Sequence, residues 1–126
     1  MSSCRRRFGV FLLALLTTQP AMAFDCQTQD RSTREIVLCG EKKYEAAQKR
    51  LDDTYAMFNR SIDAYGADLL AKAQALWLQY REANCTVFAD PSRGGTAWAV
   101  LEVECRVAMT EARAREIADQ AKGLDR

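Results

Sequence analysis

Ala73-Gln74-Ala75-Leu76-Trp77-Leu78-Gln79-Tyr80-Arg81-Glu82-Ala83-Asn84-Cys85 has no glycine, proline or β-branched residue, and it reads as the middle of a helix. Extended to both sides, Leu69, Ala73, Leu76, Tyr80, Ala83 and Val87 fall on one stripe, which Leu70, Trp77 and Phe88 widen. The pattern predicts a helix from about Asp68, the expected N-cap, to Ala89, buried on a broad face. Arg81 stands four residues from Trp77 and Cys85 and seven from Gln74, so these side chains share a stripe at the border of that face. A partly buried guanidinium needs partners. Stacking on Trp77 is expected, with a carboxylate of a neighbouring helix, Asp52 or Glu104, closing the pair.

Upstream, Ser32-Thr33-Arg34-Glu35 reads as a capping box opening a short helix toward Cys39 and Gly40. A long helix is then expected over Glu41 to Tyr65, because Tyr44, Leu51, Tyr55, Phe58, Ile62 and Tyr65 recur at helical steps. Gly66 is the expected C-cap, and the short link to the next helix predicts an antiparallel hairpin. Downstream, Asp90-Pro91-Ser92-Arg93-Gly94-Gly95 is the one loop with clear breakers. A last helix follows over Ala97 to Lys122, presenting Trp98, Leu101, Cys105, Ala108, Ala112 and Ile117 inward. Its outer face offers Glu102 with Arg106 and Glu111 with Arg115 in the favourable i, i+4 order. The expected architecture is an all-α bundle of three long helices plus one short N-terminal helix.

The N-terminal 23 residues carry an export pattern. Arg5, Arg6 and Arg7 precede an apolar run from Phe8 to Leu16, and Ala21-Met22-Ala23 supplies a cleavage site before Phe24. That run is too short to span a bilayer, and Cys26 is misplaced for lipid attachment, so no membrane anchor is expected. Residues 1–23 are thus read as a cleaved signal and 24–126 as a single domain, in the periplasm or secreted. All seventeen Asp and Glu lie after residue 23, against fifteen of the eighteen Lys and Arg, giving the mature chain a net charge of −2. A balance of this kind lacks the basic stripe that nucleic acid requires.

Cys4 falls in the signal, which leaves four cysteines for an oxidising compartment. Three pairings are possible. Cys26–Cys39 and Cys85–Cys105 close the shorter loops and are favoured, each contributing about 3 kcal/mol in the loop-entropy picture. A metal site or redox pair would want CxxC spacing or histidine, and the chain has neither, so no metal or cofactor is expected.

The lack of histidine also removes Ser-His and Cys-His nucleophiles. Asp52-Asp53 and Glu102 with Glu104 point in different directions on their helices, which argues against a carboxylate pair and against an enzyme. The loop is the better candidate. Ser92, Arg93, Gly94 and Gly95 place a hydroxyl, a cation and open backbone amides on a tip expected to be braced by a disulfide.

The run Gln-x-x-Trp-x-x-Tyr-Arg-x-x-x-Cys over Gln74 to Cys85 is the specific part of a wider likeness. Ile36 to Cys39, Leu51-Asp52 with Tyr55, Gly94-Gly95, and Cys105 followed by Thr110-Glu111-Ala112-Arg113 agree with it in order and spacing. From Cys26 to about Asp119 the chain resembles the small exported family typified by the LprI lysozyme inhibitor. The resemblance implies a disulfide-bonded helical domain that binds a protein, a lysozyme in the case of the family's namesake. It implies Gln74, Trp77, Tyr80, Arg81 and Asp52 as scaffold. The resulting expectation is a monomeric periplasmic inhibitor of lysozyme-type muramidases that occludes the active-site cleft. The alternative is a cell-envelope interaction or stress-response domain without lysozyme activity.

Overall fold

The computed structural model describes residues 26–27 and 32–124, so the expected signal segment lies outside it. Three helices make up the fold: α1 (Thr33–Ser61), α2 (Ala64–Ala89) and α3 (Ala97–Leu124), with a 3-10 turn at Asp90–Ser92 before α3. There is no strand among the described residues.

The capping box forms as its residues predict. The Glu35 N–H donates to Ser32 Oγ at 3.3 Å, and the Ser32 N–H donates to Glu35 Oε2 at 2.7 Å. The helix it opens does not stop at Gly40. The expected short N-terminal helix is the first two turns of α1, and Gly40 lies within a continuous helix. A Cβ placed on Gly40 would stand 2.6 Å from Cγ1 of Val103 on α3. Glycine is there so that the Val103 side chain can pack directly on the α1 backbone, because that stiff, buried valine cannot swing aside.

The junction of α1 and α2 also moves. α1 ends at Ser61, Ile62 is extended, and Asp63 caps α2 by accepting from the Gly66 N–H at 2.8 Å. Gly66 therefore sits in the first turn of α2, and neither it nor Asp68 caps a helix. An aspartate that can satisfy an orphan N–H starts the helix sooner than Asp68 would, and α2 gains a turn.

Gly40 lies beside Val103, and Arg50 reaches Glu111 at 2.8 Å, so α1 and α3 run parallel. Cys85 with Cys105, and Gln74 with Arg113, set α2 antiparallel to α3. α3 packs closely on both other helices, while α1 and α2 approach each other far less and are bridged by long side chains. Leu51, Ala114 and Ile117 form the heart of the core, with Tyr55, Phe58 and Trp77 packed around them. The expected Glu111–Arg115 pair gives way to Arg50–Glu111, whereas Arg106 does pair with Glu102 at 3.4 Å.

The stripe Leu69, Ala73, Leu76, Tyr80, Ala83, Val87 faces solvent; its four large members are 47–72% exposed. α2 instead buries Leu70, Arg81, Cys85 and Ala89, with Gln74, Trp77 and Asn84 half-buried between them. That face is about 100° round the helix from the expected one. On α3, likewise, Ala108 and Ala112 are exposed, and Val103, Thr110, Arg113 and Ala114 are inside.

Candidate functional site

Three features of the bundle could carry a function: a buried arginine network, the disulfide-braced loop end, and the outward face of α2. The network centres on Arg81, which is 5% exposed. Its Nη1 donates to Gln48 Oε1 and to the fully buried Thr110 Oγ1, both at 3.1 Å. Its Nε and Nη2 both donate to Glu82 Oε1, at 3.0 and 2.8 Å. The guanidinium carbon lies 5.2 Å from the Tyr44 ring centre and 5.1 Å from that of Trp77. Stacking on Trp77 is as expected; the carboxylate is not. Glu82, the next residue in the chain, turns back to take the charge.

Asp52 is exposed and reaches the network only through Gln48, whose Nε2 donates to it at 2.8 Å. Glu104 is exposed elsewhere on α3. Gln74 Oε1 accepts from Arg113 Nε at 3.2 Å, and Arg113 covers the Trp77 ring from 5.9 Å. Trp77 thus has two arginines over its ring. Tyr80 takes no part and points outward. Reading the chain missed Gln48, Glu82, Thr110 and Arg113 as members; the polar pair Thr110 and Arg113 inside a helix was the available signal.

Arg106 Nη2 donates to Glu82 Oε2 at 2.9 Å, so Glu82 is held by two guanidinium groups. Partial burial acts to raise its carboxyl, but the hydrogen bonds from Arg81 and Arg106 outweigh this and hold it below the ordinary carboxylate range. A depressed carboxyl stabilises the fold above its unfolded value, near 4.5, and the contribution is lost as the pH falls through the folded value. Urea unfolding of wild type and Glu82→Gln should therefore converge in midpoint as the pH is lowered from 7 toward 3. Midpoints that stay equally far apart would show that Glu82 adds nothing pH-dependent.

At the loop end, Cys26–Cys39 and Cys85–Cys105 both form, 5.7 and 5.5 Å between Cα atoms. Because α1 and α3 are parallel, both bonds stand at the end that carries the loop. Ser92 is half-buried, while Arg93, Gly94 and Gly95 are exposed. Gly94 has φ +78°, the left-handed region that favours glycine. Arg93 Nε donates to Asp90 Oδ1 at 2.8 Å, which fixes the guanidinium at the tip.

Glu104 and Glu111 both line a shallow depression of about 240 Å³ beside Cys39 and Lys43. They sit two turns apart on one helix, about 10 Å along its axis, and Glu111 is tied to Arg50. They do not face each other across a cleft as a glycosidase pair would. No group of three or more His, Cys, Asp or Glu among the described residues could hold a metal ion. No helix among those residues is long and apolar enough to cross a membrane.

A family model described as lysozyme inhibitor LprI matches residues 24–117. The chain belongs to the LprI lysozyme inhibitor family. The match takes in α1, α2, the loop and most of α3. An uncharacterized protein of Rhizobium meliloti (strain 1021) is 27% identical over 123 residues, a match covering 85% of this chain and 88% of that protein. No solved structure matches the chain. Within the LprI-like motif, Gln74, Trp77, Arg81 and Cys85 are the side chains that α2 turns into the bundle, and Tyr80 is the one it turns out.

Proposed function

We propose that the protein is an exported, periplasmic inhibitor of lysozyme-type muramidases that works by docking, without chemistry of its own. Membership of the LprI family over residues 24–117 is the observation that carries this reading. In the mechanism we favour, the tip formed by Ser92, Arg93, Gly94 and Gly95 enters the sugar-binding cleft. Lysozymes act through two carboxylates. Against these the tip offers the Arg93 guanidinium and the Ser92 hydroxyl, while the Arg93, Gly95 and Trp98 N–H groups are already bonded within the loop. Bracing by the Cys85–Cys105 disulfide limits the entropy lost when the tip is immobilised. Residues 1–23 act as the signal that delivers the domain, and the net charge of −2 on the remainder favours approach to a basic enzyme.

The test is a cell-wall clearance assay with the purified 24–126 chain, run in parallel on a vertebrate-type and a bacterial-type lysozyme. Inhibition of at least one enzyme is expected. Unchanged turnover of both at large molar excess removes the proposal. Ser92→Ala with Arg93→Ala should weaken inhibition about 100-fold, as hot-spot residues do; full inhibition by that variant removes the loop mechanism alone.

The exposed apolar face of α2, which extends down the helix from the loop end at Val87 to Leu69, favours a second reading as an envelope protein-interaction domain. Co-purification from a periplasmic extract separates the two readings, since it assumes no particular partner.

A further inference from the structure

The outward stripe of α2 has steps of four, three, four, three and four residues between Leu69, Ala73, Leu76, Tyr80, Ala83 and Val87. This is the a/d spacing of a coiled-coil seam, sustained over about 27 Å of helix. Its members leave large apolar side chains in water: Leu76 is 66% exposed and Val87 72%. Nothing else among the described residues covers them.

The order of residues along the seam says what does. It is a palindrome about position 78: Leu69 mirrors Val87, Ala73 mirrors Ala83, and Leu76 mirrors Tyr80. Two copies laid antiparallel put large beside large and small opposite small, each layer joining one a position to one d position. A two-fold interface requires a surface that complements itself, and this one does.

Charge agrees with the same occupant. From Ala73 to Ala89 the only charged side chains of α2 are Arg81 and Glu82, and these are bonded to each other inside the network. Along the open flank of the seam, Gln79 would meet Gln79 of the second copy, and Lys72 would meet Thr86. No like charges oppose. The paired seam would remove on the order of 600 Å² per copy, near the 800 Å² of a standard stable interface.

We infer that the chain forms an antiparallel, two-fold homodimer through the outward face of α2. This departs from the monomer expected from the sequence, where the same stripe is read as a buried face of the bundle. The inference is independent of lysozyme inhibition, and its test contains no lysozyme.

Sedimentation of the 24–126 chain should give a dimer that dissociates on dilution. Leu76→Lys and Tyr80→Glu, each at an exposed position, should raise the dissociation constant at least about 100-fold with unchanged helical circular dichroism. The double variant Leu76→Lys, Tyr80→Glu sets lysine beside glutamate twice in the antiparallel register and should dimerise again. In a parallel pair the same variant would oppose like charges and stay monomeric. A wild-type chain that is monomeric at its highest soluble concentration overturns the inference. So does a Leu76→Lys chain that remains dimeric, or a double variant that does not recover.

Discussion

Arg81→Ala is expected to lower the stability of the fold by about 3 kcal/mol, which for a domain of this size moves the unfolding temperature down by roughly 12–20 °C. The buried guanidinium serves four acceptor contacts and fills the space between Tyr44 and Trp77. Its removal strands Thr110 Oγ1, which is fully enclosed, and leaves a hollow between two aromatic rings. Glu82 would keep Arg106 and is half-exposed, which places the loss at the lower end of the range for a broken buried pair. Arg81→Lys isolates the geometry from the charge. An ammonium cannot reach Gln48, Thr110 and Glu82 in one plane, and about half the loss is expected. Thermal unfolding under non-reducing conditions measures both. A loss under about 1 kcal/mol for Arg81→Ala would mean the network behaves as a surface ion pair does.

Removing the Cys85–Cys105 bond by replacing both residues with alanine should also destabilise by about 3 kcal/mol from loop closure alone. Both cysteines are buried, so the smaller alanines add a packing loss on top. The effect is local as well as global. Amide exchange over residues 90–96 and the first turns of α3 should accelerate well beyond that in the centre of α1, because the bond ties α2 to α3 on either side of that loop. Small domains are stable by only about 5–15 kcal/mol. Full reduction removes two such contributions, so the reduced chain should lose its cooperative thermal transition. A reduced chain with an unchanged transition would show that the core suffices without the cross-links.

The helices themselves were legible from periodicity and capping chemistry, as at Ser32 and Glu35, because those signals are local. Orientation was not. On α2 the more apolar stripe lies outside and the stripe with Gln74 and Arg81 inside, since the partners that make polar groups tolerable there, Gln48, Thr110 and Arg113, come from other helices. Gly40 reads locally as a helix stop, and only Val103, sixty-three residues on, explains it as a close approach. Partial burial of Arg81 and its stacking on Trp77 could be anticipated. Its pairing with Glu82 could not, because adjacent helical residues point about 100° apart and only a long side chain turning back can join them. The loop was recognisable as a loop from its glycines and proline, whereas the outward seam of α2 emerges only once the helix is seen in place.

With the Cys85–Cys105 bridge beside the loop, α2 and α3 are riveted at one pole, and the chain itself joins α1 to α2 at the opposite one, where α3 ends without a covalent tie to its neighbours. Heating or pulling should peel α3 away from that free end inward, while its bridged end stays on α2 until the last contacts give way.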